Sequence, residues 1–335
     1  MKKFLKVTAT VLLVIVAFLA VVNIIPPKKV VENNPFVVGE GNLPLLAAHR
    51  GGGKNNPENT MLAFREAIAT YGADIIETDM YLTKDGYLVY NHDPYIDRTS
   101  NVNGDISYEE VKKIIKDETK RHYIEDMTLE ELKTYNFGYY FEDKNGERIY
   151  KDVTDVAAAG VQIATVDQLF EEFHDTNPDL KFIVEIKNSG ERGIEAARVL
   201  SETLKNYPNY KDNIVVGTFH AEVEEELKNN YPHLMRGAST ASAAKFVITQ
   251  YLMVNIFDDG SFGCLQVPMS YDLGIEVFLD TKTIIDRAHR RNIAVQYWTI
   301  NDEDDMRKLI ELGCDCIMTD DPALMRQVLD SYENK

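Results

Sequence analysis

Only three of the 335 residues are cysteine, and one is tryptophan. An odd, sparse set of thiols, Cys264, Cys314 and Cys316, is no disulfide framework. Two of them sit in "CDCIMTD", where small apolar core residues are expected rather than a metal or redox site. Positive charge is also short. Thirty-six lysines and arginines face 54 acidic residues, a formal charge of -18. That argues against a nucleic-acid partner, because phosphate backbones need a basic face. It leaves room for an anionic substrate held by a metal and a few local cations. Long apolar runs are absent except at the N-terminus, and 44% hydrophobic with 27% charged residues describes a globular chain.

The exception reads "MKKFLKVTATVLLVIVAFLAVVNIIPPKK". Three lysines precede an uncharged stretch from Val7 to Ile25, and roughly 20 apolar residues suffice to cross a bilayer. A cleavable signal peptide is the competing reading, but its apolar region is usually shorter and ends in a small-x-small site, and Phe18 stands where the small residue belongs. The expectation is an uncleaved anchor over 1–26. Lys2, Lys3 and Lys6 favour a cytoplasmic N-terminus, with Lys28 and Lys29 weakening the asymmetry. The protein is then a single-pass cell-membrane protein whose catalytic domain lies outside the cytoplasm. The stretch 27–43, rich in Pro, Gly and Asn, reads as a linker.

Short apolar runs then alternate with amphipathic stretches. The runs are "LLAAH" (45–49), "ADIIETDM" (73–80), "KFIVEIK" (181–187), "IVVGTF" (214–219), "LMRGAS" (234–239), "CLQVPM" (264–269), "AVQYWTI" (294–300) and "CDCIMTD" (314–320). Eight near-continuous apolar strands separated by helical patterns predict an α/β fold, a (β/α)8 TIM barrel over 44–330. A doubly wound sheet is the alternative. No core strand shows between about 93 and 165, which reads as an insertion after strand two.

In such a barrel the active site stands at the C-terminal ends of the strands. Strand one ends in His49-Arg50, strand two in Glu77-Thr78-Asp79, strand three in Glu185-Ile186-Lys187, and strand seven carries Trp298 and then Asn301. Residues i and i+2 share a face, so Glu77 projects with Asp79 and Glu185 with Lys187. Three carboxylates at one mouth would repel each other. A hard divalent cation, Mg²⁺ or Ca²⁺, resolves that, although Glu185 could simply pair with Lys187. After the Asp85-Gly86 turn a second histidine, His92, is delivered toward the same rim. Two histidines suit acid–base catalysis near neutral pH. Arg50 and Lys187 supply positive charge for an anionic group.

The stretches "HRGGGKNNPENTMLAF", "GADIIETDMYLTKDGYLVYNHD", "RTSNVNGDI", "TLEELK", "FIVEIK" and "VQYWTINDEDDMRKLIELGCDCIMTDDP" together resemble the glycerophosphodiester phosphodiesterase family, over about Leu45 to Leu329. The resemblance implies a TIM barrel with one divalent metal held by Glu77, Asp79 and Glu185. It also implies His49 and His92 as the acid–base pair, with Arg50 and Lys187 on the phosphate. Where members often have "PTLEE" this chain has "ATVDQ" (164–168), and Cys316 replaces a common glycine. Asn59 or Thr60 is expected to cap the next helix. Trp298 divides evenly between core packing and lining the substrate site.

The implied activity is hydrolysis of a glycerophosphodiester to glycerol phosphate and an alcohol, through a cyclic phosphate or by direct attack of water. A lysophospholipase D-like cleavage of membrane lysophospholipids is the alternative, and a non-catalytic binding barrel would have lost one of the acids or histidines. The stretch from Phe246 to Phe257 carries no charge. It is expected to be either a helix covered by the 93–165 insertion or a lipid-facing lip near the mouth.

Overall fold

The alternation of apolar runs and amphipathic stretches folds into a barrel because each run is buried on both faces and each intervening helix covers one of them. A computed structural model describes residues 2–24, 27, 29–254, 262–272 and 274–333. The barrel strands are β1 (Leu45–Ala48), β2 (Ile75–Leu82), β3 (Lys181–Ile186), β4 (Ile214–Gly217), β5 (Met235–Arg236), β6 (Cys264–Val267), β7 (Ala294–Tyr297) and β8 (Cys316–Thr319). The sheet runs β5-β4-β3-β2-β1-β8-β7-β6, with every neighbouring pair parallel. A parallel bridge from Gly237 to Cys264 brings the two ends of the sheet together. All eight expected runs contribute a strand, so the TIM barrel holds and the doubly wound sheet does not.

The helices are α1 (Lys2–Ile24), α2 (Met61–Ala69), α3 (Val166–Phe173), α4 (Gly190–Thr203), α5 (Ala221–Asn230), α6 (Thr240–Tyr251), α7 (Lys282–His289), α8 (Glu303–Leu312) and α9 (Pro322–Glu333). Thr60, Thr165 and Thr281 cap α2, α3 and α7, each hydroxyl accepting from an amide three residues on.

Inside the barrel, Ala47, Ile75, Ile183, Val215, Cys264, Ala294 and Cys316 form one apolar layer. The next inward positions, two residues on, are His49, Glu77, Glu185, Gly217, Gln266, Gln296 and Met318. The barrel is therefore apolar below and polar above, and the polar half opens at the strand C-termini. Cys314 packs in the outer core, so all three cysteines are buried and free, as expected.

The stretch expected to be a linker lies against the lower end of the barrel. Phe36 is fully buried in the inner apolar layer. Val30 N donates to the Arg291 carbonyl at 2.9 Å, and Asn34 Nδ2 donates to the Gly263 and Asn292 carbonyls at 2.8 and 2.9 Å. Asp315 gathers this end: its side chain accepts from Val38 N at 3.0 Å and Val295 N at 2.7 Å, and lies 2.8 Å from His289 Nε2.

The insertion follows a hairpin in which Leu88–Tyr90 pairs antiparallel with the end of β2. Its own small core, including Tyr81, Val89, Ile96, Ile124, Leu132 and Phe137, packs on that hairpin. Capping boxes at Ser107 and Thr128 start its two short helices, Tyr108–Ile115 and Leu129–Leu132. It rejoins the barrel through bridges from Ile163 to Thr60 and from Thr165 to Val89.

Among the described residues, the apolar stretch from Phe246 is covered by the barrel's own elements rather than by the insertion. Helix α6 packs on β6 and α7, with Phe246 and Val247 buried and Ile248, Leu252 and Met253 exposed. Residues 255–257 lie outside the described residues. Met253 meets the end of α1, because Asn23 Nδ2 donates to its carbonyl at 3.0 Å. Arg287 donates to Asn23 Oδ1 at 3.1 Å and Arg290 to the Asn23 carbonyl at 2.8 Å. Only residues 290–293 separate the last turn of α7 from the start of β7, so this junction lies toward the barrel end opposite the mouth, not at a lip beside it.

Replacing Asp315 by Ala leaves the buried Val295 amide, the part-buried Val38 amide and His289 without their acceptor. The expected loss is about 3 kcal/mol of unfolding free energy, read from urea denaturation. The variant also loses a pH dependence. The His289 hydrogen bond to Asp315 raises its pKa above 6.5, so its contribution is complete below that value and fades as pH rises through the raised one.

Candidate active site

The loop after β1 answers to sterics before chemistry. Gly51 and Gly52 have φ of +78° and +91°, and a Cβ on Gly51 would meet the Phe64 ring at 2.8 Å, while one on Gly52 would meet Pro322 Cγ at 2.6 Å. The loop is thus pressed between α2 and the start of α9, and only glycine fits. Arg50 and Asn59 both take the left-handed backbone region, with φ of 54° and 55°, and Asn59 N donates to the Arg50 carbonyl at 2.8 Å. That brace sets the directions of both side chains.

His49 and His92 are each held by a carboxylate. His49 Nδ1 lies 2.6 Å from Asp320 Oδ1, and Asp320 also accepts from Asn301 Nδ2 at 2.7 Å. His49 Nε2 points to the acids, 3.8 Å from Glu77 Oε2. Burial pulls its pKa down, but Glu77 and the Asp320 hydrogen bond outweigh that and leave it raised. His92 Nδ1 lies 3.0 Å from Asp93 Oδ1. Burial raises the Asp93 pKa, and the bonds from His92 and Arg98 reverse the effect, holding it down at about 2.

Arg98 ties this second pair to the rest. Its guanidinium bonds to Asp93 through Nε and grips Glu58 with Nη1 at 3.0 Å and Nη2 at 2.5 Å. Glu58 in turn reaches Arg50 Nη1 at 3.3 Å. Desolvation would raise the Glu58 pKa, and Arg98 with Arg50 lowers it on balance. A continuous path therefore runs Arg50–Glu58–Arg98–Asp93–His92.

Glu77 and Asp79 are buried on β2, and Asp79 is in register with Glu185 on β3. Lys187 Nζ lies 3.4 Å from Asp79 and 3.1 Å from Glu185. Arg50 Nε lies 3.4 Å from Asp79 Oδ2 yet has no hydrogen-bond partner. Burial raises the Glu77 pKa, with Asp79 adding to it and His49 opposing. Burial also raises Glu185, against Lys187 and with Asp79. The structure thus brings together all seven residues expected on one rim: His49, Arg50, Glu77, Asp79, His92, Glu185 and Lys187. Trp298 stands partly exposed, with its amide on the Val267 carbonyl at 3.2 Å.

The donors suit a hard cation. They are carboxylate oxygens, two of them with raised pKa, and Asn59 adds a buried Oδ1 with no hydrogen-bond partner while its Nδ2 lies 3.5 Å from Asp79. Among the described residues, no three acidic, histidine or cysteine groups already converge on one point. Lys187 and Arg50 lie between the acids.

Sequence reasoning did not assign Glu58, Asp93, Arg98 or Asp320. Asp320 carried a visible signal, since "TDDP" ends the last strand as "ETD" ends the second. Of Asn59 and Thr60, either of which was expected to cap α2, Thr60 does so, accepting from Ala63 N at 3.2 Å, and Asn59 turns inward.

The pattern described as the glycerophosphoryl diester phosphodiesterase family matches residues 49–324. A glycerophosphodiester phosphodiesterase of Caldanaerobacter subterraneus is 29% identical over 282 residues, 84% of this chain and 96% of that protein. Lysophospholipase D GDPD1 of Mus musculus is 24% identical over 304 residues, covering 85% of this chain and 86% of that one. Among solved structures, an Oleispira antarctica phosphodiesterase in complex with the product sn-glycerol-3-phosphate superimposes with a TM-score of 0.60 at 20% identity, over 86% of this chain and 97% of that one. A glycerophosphoryl diester phosphodiesterase domain from Mycobacterium tuberculosis gives 0.65 at 19%, over 85% and 99%.

A raised carboxyl pKa favours the folded state while the group is protonated. That contribution is complete below about the ordinary glutamate value of 4.5 and is lost as pH rises through the raised value. Metal-free Glu77→Gln is therefore expected to melt higher than the unaltered protein at neutral pH, by about 2–4 °C, with the gain shrinking as pH falls. A divalent cation should raise the melting temperature of the unaltered protein and not of the variant. A variant that melts lower at neutral pH would show that the Glu77 charge is already compensated.

Proposed function

The chain belongs to the glycerophosphoryl diester phosphodiesterase family and is a phosphoric diester hydrolase, and on that premise we propose that it is a metal-dependent enzyme cleaving glycerophosphodiesters to glycerol phosphate and an alcohol by paired-histidine catalysis. The observation that carries this is the pairing of each histidine with its own carboxylate, His49 with Asp320 and His92 with Asp93, on one rim with three acids and two cations.

Glu77, Asp79 and Glu185 are the residues that would hold Mg²⁺ or Ca²⁺. When bound, the ion supplies charge stabilisation at the phosphoryl oxygens. Arg50 and Lys187 then face the phosphate, and the unbonded Arg50 Nε is a donor already directed at the site. His49, made more basic by Glu77 and Asp320, takes the proton of the glycerol hydroxyl beside the phosphate. The alkoxide oxygen attacks phosphorus, the bond to the alcohol oxygen breaks, and a cyclic phosphate forms. His92 gives its proton to the departing alcohol. Water then opens the ring with the two roles exchanged. Asp320 and Asp93 fix which ring nitrogen faces the substrate.

Lysophospholipid cleavage is the second reading. It is supported by relatives named lysophospholipase D and by apolar side chains exposed near the strand C-termini, Phe219 and Trp298. Trp298 is assigned to lining the substrate site on the same ground. Helix α1 would tie the barrel to the cell membrane with its catalytic face outside the cytoplasm. It is long and apolar enough to cross a bilayer, and almost none of it is buried in the protein.

Replacing His49 or His92 by Ala is expected to lower kcat by about 10²–10⁴-fold. His92→Ala should regain most of its rate on a diester with an acidic leaving alcohol, and His49→Ala should not. Equal losses on both substrates would remove His92 from the role of general acid. Accumulation of a 1,2-cyclic glycerol phosphate early in turnover is expected, and direct incorporation of solvent oxygen without it would establish attack by water instead. Exhaustive chelation should abolish activity, and Mg²⁺ or Ca²⁺ should restore it.

For the anchor, N-terminal sequencing of the protein recovered from membranes should begin at Met1 or Lys2. A sequence starting beyond residue 20 would mean a cleaved signal.

A further inference from the structure

A cleft of about 420 Å³ opens beside the phosphate end of the site, with Glu185 and Lys187 in its wall. Its other walls are unlike the site itself. Tyr81 comes from the end of β2, Tyr123 and Glu125 from the insertion, and Phe219 from the loop after β4. Phe219 is 66% exposed. Glu125 is exposed and, among the described residues, has no ion pair. The Tyr123 ring is held in place, edge-on to Tyr95 at 6.5 Å, with its hydroxyl donating to the Glu118 carbonyl at 3.3 Å.

The position of the cleft says which part of the substrate it receives. In phosphoryl transfer the attacking and departing oxygens lie roughly in line on opposite sides of phosphorus. His49 stands on β1 next to β8. His92 stands on the insertion side, held by Asp93, which Arg98 ties to Glu58. The cleft lies on that same side, with Pro94, two residues after His92, in its wall. It is therefore adjacent to the histidine that protonates the departing alcohol.

We infer that this cleft is the leaving-alcohol subsite and that it selects an alcohol bearing a quaternary ammonium group. Aromatic faces with a free carboxylate recognise a cation that has no hydrogen-bond donors. The one ammonium in the wall, Lys187, is already engaged by Asp79 and Glu185, so it does not offset Glu125. A neutral polyol would find hydrogen-bond partners in Asn188, Ser189 and His220 but brings no charge for Glu125 and the ring faces to attract, and an anionic alcohol would face Glu125. The inference rests on the diesterase reading above and adds to it a substrate class set by Tyr123, Glu125 and Phe219.

The test compares two diesters that share the glycerol phosphate half, glycerophosphocholine and glycerophosphoglycerol, on the full-length protein with a divalent cation. The unaltered enzyme is expected to favour the choline diester about tenfold in kcat/KM, the size of one desolvated cation–π or ion-pair contact. Glu125→Gln and Phe219→Ala should each bring that ratio toward one, mainly through KM. An unaltered ratio in both variants, or no preference in the unaltered enzyme, overturns the subsite. Lysophosphatidylcholine and lysophosphatidylglycerol form a second pair, and whichever pair is turned over identifies a soluble or a membrane source for the same headgroup. Calorimetric titration with tetramethylammonium chloride separates this inference from the diesterase reading. Binding that weakens about tenfold in Glu125→Gln supports the cleft even if no diester is cleaved, and absence of binding overturns it even if all are.

Discussion

Two buried carboxylates at successive inward positions of one strand, Glu77 and Asp79, are the constraint around which the upper half of the barrel is arranged. Their charges cannot be solvated there, and an unpaired buried anion is costly. The surrounding residues answer that demand in different ways. Arg50 lends both its backbone amide, 2.9 Å from Glu77, and its side chain. Lys187 comes from β3, and His49 from β1. The apolar layer below, closed by Phe36, makes the acids' surroundings dry, so each of these contacts is stronger than it would be in water.

The same economy explains how a chain with a formal charge of -18 can receive an anion. Its cations are few, and at this rim they are held inside carboxylate networks rather than spread over the surface. Arg98 engages both Glu58 and Asp93, and Glu58 reaches Arg50 in turn. This couples the insertion to the barrel, because Asp93 and Arg98 lie at its start while Glu58 belongs to the loop after β1. The insertion thus fixes the orientation of His92 and contributes to the wall of the neighbouring cleft.

The lower end of the barrel is organised by another buried acid. Asp315 binds the chain leading up from α1, the start of β7 and the last turn of α7. The segment 29–43 is consequently part of the barrel's base, and the end of α1 is held by Asn23 against α6 and α7. The candidate site and the apolar helix α1 thus lie toward opposite ends of one closed sheet.

The eight strands were legible in the sequence because parallel barrel strands are buried on both faces and leave uninterrupted apolar runs. The seven residues of the candidate site were legible for a related reason. A charged residue at the end of such a run is an exception to burial, and period-two alternation shows which of them share a face. Family resemblance gave them the roles proposed above. What the sequence did not carry was partnership across distance. Asp320 is 271 residues from His49, and Arg98 is 40 from Glu58. No local periodicity marks either pair, since they meet only when β8 closes beside β1 and the insertion folds back over β2. Asn59 shows the same limit at short range. Its neighbour Thr60 satisfies the helix, and only the left-handed turn at Asn59 directs that side chain to Asp79. The residues between α1 and β1 have the composition of a tether, and the tertiary structure uses 29–43 as a floor because the barrel's lower end needs apolar cover, which Phe36 supplies as its plug.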